Sequence, residues 1–298
     1  MASARALVKF AVERLLGSRS LGLLRPRGGL GCLVLAYHNI VPGPGGQDGD
    51  RSLHLSFERF REHLDLLQRR VSIVSLDQVL GGAAAGSVAI TFDDAYESAL
   101  SVGIPELARR DLPATVFVAP GLLGDVPWWD AVASSPEGLD ETDRDYCLTT
   151  LRGSATAIFD WASSRSRLGA SGNCRISNED LIRQLKSFPR ITVGAHSWTH
   201  PNLGRMEDSE LERELIEPLR WLKDAFPVQG RPWLAYPYGL FTDELTSQAG
   251  KAGYEATFAI RGGWSGRAVS PNVPFPRLNV PAGLSAPGLA ARLNGFLD

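Results

Sequence analysis

The sequence predicts an α/β fold built around a parallel sheet or barrel of about seven strands. Three observations lead there. First, seven short, β-branched apolar runs recur: "CLVLAY" (32–37), "VSIV" (71–74), "VAITF" (88–92), "ATVFVA" (114–119), "ITVGA" (191–195), "WLAY" (233–236) and "ATFAI" (256–260). They read as strands covered on both faces, as in a parallel sheet. Second, helical repeats lie between them, and strand–helix alternation is the pattern of parallel α/β folds. Third, His38, Asp93 with Asp94, His196 and Tyr238 each follow a different strand end. In such folds the chemistry sits at the C-terminal ends of the strands.

In chain order, the first 20 residues contain no apolar stretch of signal-peptide or membrane-span length, because Lys9, Glu13 and Arg14 interrupt it. Leu7, Val8, Ala11, Val12, Leu15 and Leu16 instead share one face of an amphipathic helix with basic residues opposite. That helix either packs on the domain or makes peripheral contact with a membrane surface. Without a secretory signal, a cytoplasmic protein, membrane-associated if the helix lies on a surface, is the expectation. Residues 1–30 are read as helix and linker, and 31–298 as the main domain.

The stretch "VPGPGGQDGDRS" (41–52) is a Gly/Pro/Asp-rich loop. Phe57, Phe60, Leu64 and Leu67 share a helical face, with Ser56 as N-cap. A second helix covers 97–110, and a third, around Leu181, Ile182 and Leu185, is entered by the capping-box pattern "SNED" (177–180). Leu211, Leu215 and Leu222 mark a fourth, and Asp243 to Ala252 a fifth, closed by Gly253. Residues 124–176, which contain "VPWWDAV", interrupt the alternation and are read as an insertion or lid over the site. His54 and His63 are assigned to a loop and to a helix surface.

With 44% hydrophobic residues among 298, the chain can bury a large core, and its net charge of −2 gives no footprint for nucleic acid. Cys32, Cys147 and Cys174 are far apart and odd in number, and are read as ordinary small apolar residues. The chemistry is concentrated elsewhere. Two adjacent aspartates at the tip of an apolar strand repel each other, and both are costly to bury. They form either a helix cap with a turn or a metal ligand beside a general base. "HSWTH" (196–200) places two histidines at i, i+4, where both can reach one ion. With an aspartate from another strand end, these give a two-nitrogen, one-oxygen site suited to Zn²⁺ or a similar divalent metal.

"TFDDAYES" (91–98), "HSWTH" and "AYPYG" (235–239), in this order, resemble the first three motifs of the carbohydrate esterase family 4 polysaccharide deacetylases, which carry the NodB homology domain. "LAYHNIVP" (35–42) is similar to the "YH" start of an extended subgroup, and the resemblance spans about 33–280. It implies a distorted (β/α)-barrel of about seven parallel strands. It implies one divalent ion, Zn²⁺ first, with Co²⁺, Ni²⁺ or Fe²⁺ able to take the same ligands: Asp94, His196 and His200. It further implies Asp93 as the general base that activates a metal-held water against the N-acetyl amide of a carbohydrate, a polysaccharide or lipid-linked precursor. The backbone N–H of Tyr238 would help hold the oxyanion.

The sequence departs from the family pattern in three places. The motif arginine is replaced by Ala235, and Arg277, just ahead of another strand, is the candidate substitute, with a structural arginine as the alternative. No histidine follows His200, so His38 is the candidate acid; otherwise it is a hydrogen-bonded histidine at a strand end. Ala95 stands where glycine is usual. Trp128 and Trp129 are either packing residues or a sugar-stacking wall. Competing readings are a 2-His-1-carboxylate oxygenase, which gains nothing from a neighbouring base, and a non-catalytic carbohydrate-binding or assembly protein on the same scaffold. A paired-carboxylate glycosidase lacks a second carboxylate at another strand end.

Overall fold

The computed structural model describes residues 12–17, 31–43, 48–169, 174–266, 270 and 272–296. Its centre is a closed ring of seven parallel strands. In chain order they are β1 (Leu33–Tyr37), β5 (Ser87–Phe92), β6 (Ala114–Val118), β7 (Ile191–Ala195), β8 (Gly230–Ala235), β9 (Ala256–Ile260) and β10 (Phe275–Asn279). β10 closes the ring by pairing with both β9 and β1, and β1 pairs with β5. A two-stranded parallel flap, β2 (Asn39–Val41) with β3 (His54–Ser56), stands at the end of β1. Val41, read as the start of a loop, is therefore strand.

The seven-strand expectation holds, with one exchange of membership. "VSIV" contributes only β4 (Ser72–Ile73), which pairs beside β5 outside the ring. Its place is taken by "FPRLN", whose Pro276 hides a strand from propensity, since proline cannot donate to a ladder. Arg277 accordingly lies within this strand and not ahead of it.

Two-residue periodicity divides each strand between two cores. Val34, Ala89, Phe117, Trp233, Ala235, Phe258 and Phe275 pack together in the barrel interior. Leu33, Leu35, Ile90, Phe92, Val116, Val118 and Leu234 face the surrounding helices. Gly194 is required by the interior, because a Cβ there would fall 2.6 Å from the Phe117 ring. The same parity carries forward to the strand ends. His38, Asp93, His196, Arg277 and Asn279 all fall on the inward set.

The outer layer follows the predicted helices. α1 (Phe57–Arg70) is capped by Ser56, whose hydroxyl accepts from Arg59 N–H, and buries Phe60, Leu64 and Leu67. Each such side chain is worth about 1.5–3 kcal/mol of burial. α2 (Leu76–Leu80) follows β4. The helix predicted over 97–110 opens with a π-turn at Ala99–Gly103 before α3 (Ile104–Arg109). Between β6 and β7 lie α4 (Trp128–Ala133), α5 (Glu141–Thr149), α6 (Ala155–Ser163) and α7 (Glu179–Arg183). Within the stretch read as an insertion or lid, Trp128 and Trp129 are thus helical. α7 is capped by Asn178 at Leu181 N–H, one residue later than the "SNED" reading requires, and Ser177 Oγ has no partner. α8 (Asp208–Ala225), α9 (Asp243–Ala252) and α10 (Ala286–Leu293) complete the layer, and Gly253 closes α9 with a φ of 110°.

Leu7, Val8 and Ala11 of the predicted N-terminal helix lie outside the described residues. In its described turn Val12 and Leu15 are exposed, while Glu13 is buried and accepts from Ser285 at the start of α10. No helix among the described residues is long and apolar enough to cross a membrane.

Two histidines depart from the surface positions read from the sequence. His54 is buried on β3, and His63 is fully buried on the inner face of α1, between the Tyr37 hydroxyl (3.3 Å) and Leu284 O (3.0 Å). Burial lowers the His63 pKa to about 4. Unfolded, the ring takes a proton near about pH 6.5, whereas the folded state resists it until about pH 4, so stability falls as pH drops between those values. Acidification from about pH 7 to about pH 5 should remove about 2 kcal/mol through this residue. Urea titrations of wild type and His63→Gln would show it. The variant has no titrating ring at this position and should lose correspondingly less stability on acidification.

Candidate active site

The C-terminal ends of the ring strands enclose a cavity of about 220 Å³, lined among others by His38, Asp93, Asp94, Trp129, His196, His200, Tyr238 and Asn279. Three turns deliver the paired aspartates, His196 with His200, and Tyr238, and each is strained. Asp94 and Ala95 after β5, Ser197 and His200 after β7, and Tyr238 after β8 all have φ between 57° and 68°. Left-handed backbone is costly for side-chain-bearing residues and collects at functional sites. The turn at Asp94 overrides strand parity. Asp93 points inward by register, and the left-handed turn brings the next carboxylate into the same cavity. Ala95, with φ 59°, shows why glycine suits that position.

Asp94, His196 and His200 offer three ligand atoms within 4.8 Å of one another, all buried. Asp94 Oδ1 lies 3.6 Å from His196 Nε2 and 3.3 Å from His200 Nε2, and it has no hydrogen-bond partner. Burial, then repulsion from Asp93, pushes the Asp94 carboxyl well above its usual range. Burial also lowers both imidazoles, with His196 adding to the effect at His200, so neither contact is an ion pair. An unpartnered buried carboxylate between two neutral imidazoles fits a divalent cation. His196 Nδ1 lies 2.7 Å from Ala235 O. The carbonyl can only accept, so the ring proton sits on Nδ1 and the Nε2 lone pair faces Asp94.

The His-x₃-His loop is held from behind by a residue that sequence reading missed. Glu214 of α8, buried, accepts from Trp198 N–H and Thr199 N–H at 2.8 Å and from the Thr199 hydroxyl at 2.6 Å. Its signal was present: a carboxylate on the apolar stripe of Leu211, Leu215 and Leu222. Glu214→Ala should weaken metal binding about 10–100-fold, as losses behind the ligands commonly do. Isothermal titration with Zn²⁺ would measure this, and unchanged affinity would remove Glu214 from the site.

Asp93 is not among the three ligands. Arg277, fully buried, grips it with two parallel bonds, NH1 to Oδ1 and NH2 to Oδ2, each 2.7 Å. NH1 also donates to Thr91 Oγ1, and the guanidinium stacks over Phe117 at 5.1 Å. Burial alone would raise the Asp93 pKa, but Arg277, followed by His196, outweighs it and holds the carboxyl below its usual range. His38 lines the cavity, its pKa lowered to about 4 by burial, and its Nδ1 has no partner. Asn279, unremarked in the sequence, presents an unpartnered Oδ1 in the same cavity, beside His38 because β10 pairs with β1 at Ala36.

The aromatic pair divides. Trp129 lines the cavity with its ring 4.7 Å from His200. Trp128 lies behind Tyr238, donating to its hydroxyl at 2.9 Å, so the two do not form one wall. The Tyr238 hydroxyl in turn donates to His200 O.

Comparison with known proteins agrees with this geometry. Chitooligosaccharide deacetylases of Rhizobium leguminosarum bv. phaseoli and Bradyrhizobium sp. (strain ANU 289) are 32% and 33% identical over 85 and 77 residues, or 28% and 26% of this chain. The matched region spans 35% of the length of each relative. The Streptococcus pyogenes deacetylase PplD, solved in complex with acetate, superposes with a TM-score of 0.61 at 16% identity, over 88% of this chain and 97% of its own. IcaB from Ammonifex degensii superposes with a TM-score of 0.56 at 20% identity, over 89% and 98%. At these identities the structural likeness is one of fold. The sequence pattern of the polysaccharide deacetylase family matches residues 81–257, more than half of the chain, from ahead of the paired aspartates to past "YPYG". The chain therefore belongs to the polysaccharide deacetylase family.

Proposed function

We propose that this protein is a divalent-metal-dependent hydrolase that removes N-acetyl groups from a carbohydrate. The observation carrying this reading is the pairing of two unlike carboxylates. Asp94 Oδ1 is buried without a hydrogen-bond partner beside two neutral imidazoles, while both oxygens of Asp93 next to it are paired by Arg277. One carboxylate is left for a cation, and the other stays ionised for proton work.

A divalent ion held by Asp94, His196 and His200 would supply Lewis acidity, polarising an amide carbonyl and acidifying water. Zn²⁺ suits two imidazoles and one carboxylate, and Co²⁺, Ni²⁺ or Fe²⁺ could take the same set. The chain's own residues do the rest. Asp93 accepts a proton from the attacking water, and Arg277 fixes both of its oxygens. The Tyr238 backbone N–H is the proposed donor to the developing oxyanion. His38, neutral in the resting state, would take up the proton that Asp93 removes from the water and pass it to the departing nitrogen, and so replace the missing late histidine. Asn279 Oδ1, unpartnered in the cavity, is the proposed acceptor for the acetamido N–H, a contact an O-acetyl ester could not make.

The test is acetate release from N-acetylated saccharide oligomers. Wild type should release acetate, chelator-treated protein should not, and Zn²⁺ or Co²⁺ should restore the activity. Turnover that survives full chelation would sink the metal-dependent reading.

A further inference from the structure

Behind α4 a second group of metal-binding side chains converges. His54 of β3, Asp130 of α4 and Cys174 are all buried, and their donor atoms lie within 4.8 Å of one another. His54 Nε2 is 2.9 Å from Asp130 Oδ1 and 3.4 Å from Cys174 Sγ. A ring nitrogen has a single in-plane direction, holding either a proton or a lone pair. It cannot make a linear hydrogen bond to the carboxylate and another to the sulfur. Nor is this a nucleophile relay, in which thiol and acid occupy opposite ring nitrogens. Here both meet Nε2, and Nδ1 faces the Asn39 carboxamide at 3.1 Å.

Two further observations fit a cation. Gly49, with φ +70°, closes one side of the group. A Cβ there would fall 2.7 Å from Cys174 Sγ, 2.8 Å from His54 Nε2 and closer still to Asp130 Oδ1. A side chain at 49 would therefore occupy the space the three donors share. Asp130 is fully buried, and its bonds come from Asp50 N–H, the Tyr96 hydroxyl and His54, with no lysine or arginine paired to it among the described residues.

We propose that His54, Asp130 and Cys174 form a second metal site, distinct from the Asp94 triad, that takes Zn²⁺ through one imidazole, one carboxylate oxygen and one thiolate. The donor set is a zinc set. On binding, the Cys174 thiol proton leaves to solvent and the imidazole proton sits on Nδ1, against the Asn39 carboxamide turned to accept it. The role is structural. The ion would tie the strand β3 and the chain at 174 to α4. Next to Asp130, Trp129 donates to the Tyr96 hydroxyl at 2.7 Å and packs against His200 with its ring tilted at 48°.

The test uses Co²⁺ alone, titrated into metal-free full-length protein, with bound cobalt counted and the near-ultraviolet spectrum recorded. The Asp94 triad contains no sulfur, so a thiolate-to-cobalt charge-transfer band reports a cysteine ligand. Wild type should bind two ions and show the band. His196→Ala/His200→Ala should keep the band and one ion, whereas Cys174→Ser should lose the band and keep the other. A wild type with one ion and no thiolate band overturns the proposal, as does a band that survives in Cys174→Ser. If Cys174→Ser does not fold, the double-histidine variant decides: no bound ion there overturns the proposal. None of these readouts depends on deacetylase activity.

Discussion

Asp93→Asn should lower acetate release about 10²–10⁴-fold, the range that general base catalysis contributes, while the Asp94 triad keeps its metal. Asparagine preserves the shape of the side chain and one acceptor for Arg277, but it has no useful proton affinity. The four inward groups nearest the reaction then remain, and only the base is missing. One of the two bonds to Arg277 is lost, so a decrease in stability of about 1–3 kcal/mol is also expected. A thermal melt and a metal count on the same preparation separate the two effects. Turnover within a factor of a few of wild type, with metal bound, would mean that another group takes the proton.

Much of this site could be read from the chain because strand parity and strand ends are local properties. An apolar run ending in Asp93–Asp94, another ending in His196, and a Tyr–Pro–Tyr–Gly turn need only a parallel barrel to bring them to one rim. What escaped the reading has physical reasons. Pro276 masked β10, and with it both the seventh ring strand and the neighbour of Arg277, Asn279. The short β4 lacks the length of a ring strand, which its apolar composition concealed. His63 and Glu214 each sit on the apolar stripe of a helix, and a polar residue there signals a buried hydrogen-bonded role. The sequence carries that signal at both positions, since each falls at the helical spacing of buried leucines. The hold of Ala235 on His196 is made by a backbone carbonyl, which every residue has, so no side-chain pattern could reveal it. The meeting of His54, Asp130 and Cys174 joins positions 120 residues apart and is a product of tertiary structure alone.

Arg277→Met should be the most damaging single change outside the metal ligands. The guanidinium is fully buried and makes two bonds to Asp93 and one to Thr91 Oγ1. Methionine fills comparable volume but leaves Asp93 buried and without its cation, and breaking a buried pair from one side costs about 3–5 kcal/mol. Burial would then act on Asp93 without the arginine that opposes it, so its pKa should rise. Because the proposed base works only when ionised, the acid limb of the kcat/KM profile should move to higher pH. Arg277→Lys should fall between the two, since an ammonium keeps the charge but cannot make two parallel bonds. The double variant Asp93→Asn/Arg277→Met removes both charges and should recover part of the lost stability while remaining inactive. That pattern, stability partly regained without activity, separates a base held by its arginine from an arginine that merely fills the barrel. If Arg277→Met instead kept the wild-type pH profile, Asp93 would not be the base, and the two carboxylates at the tip of β5 would need a different division of labour.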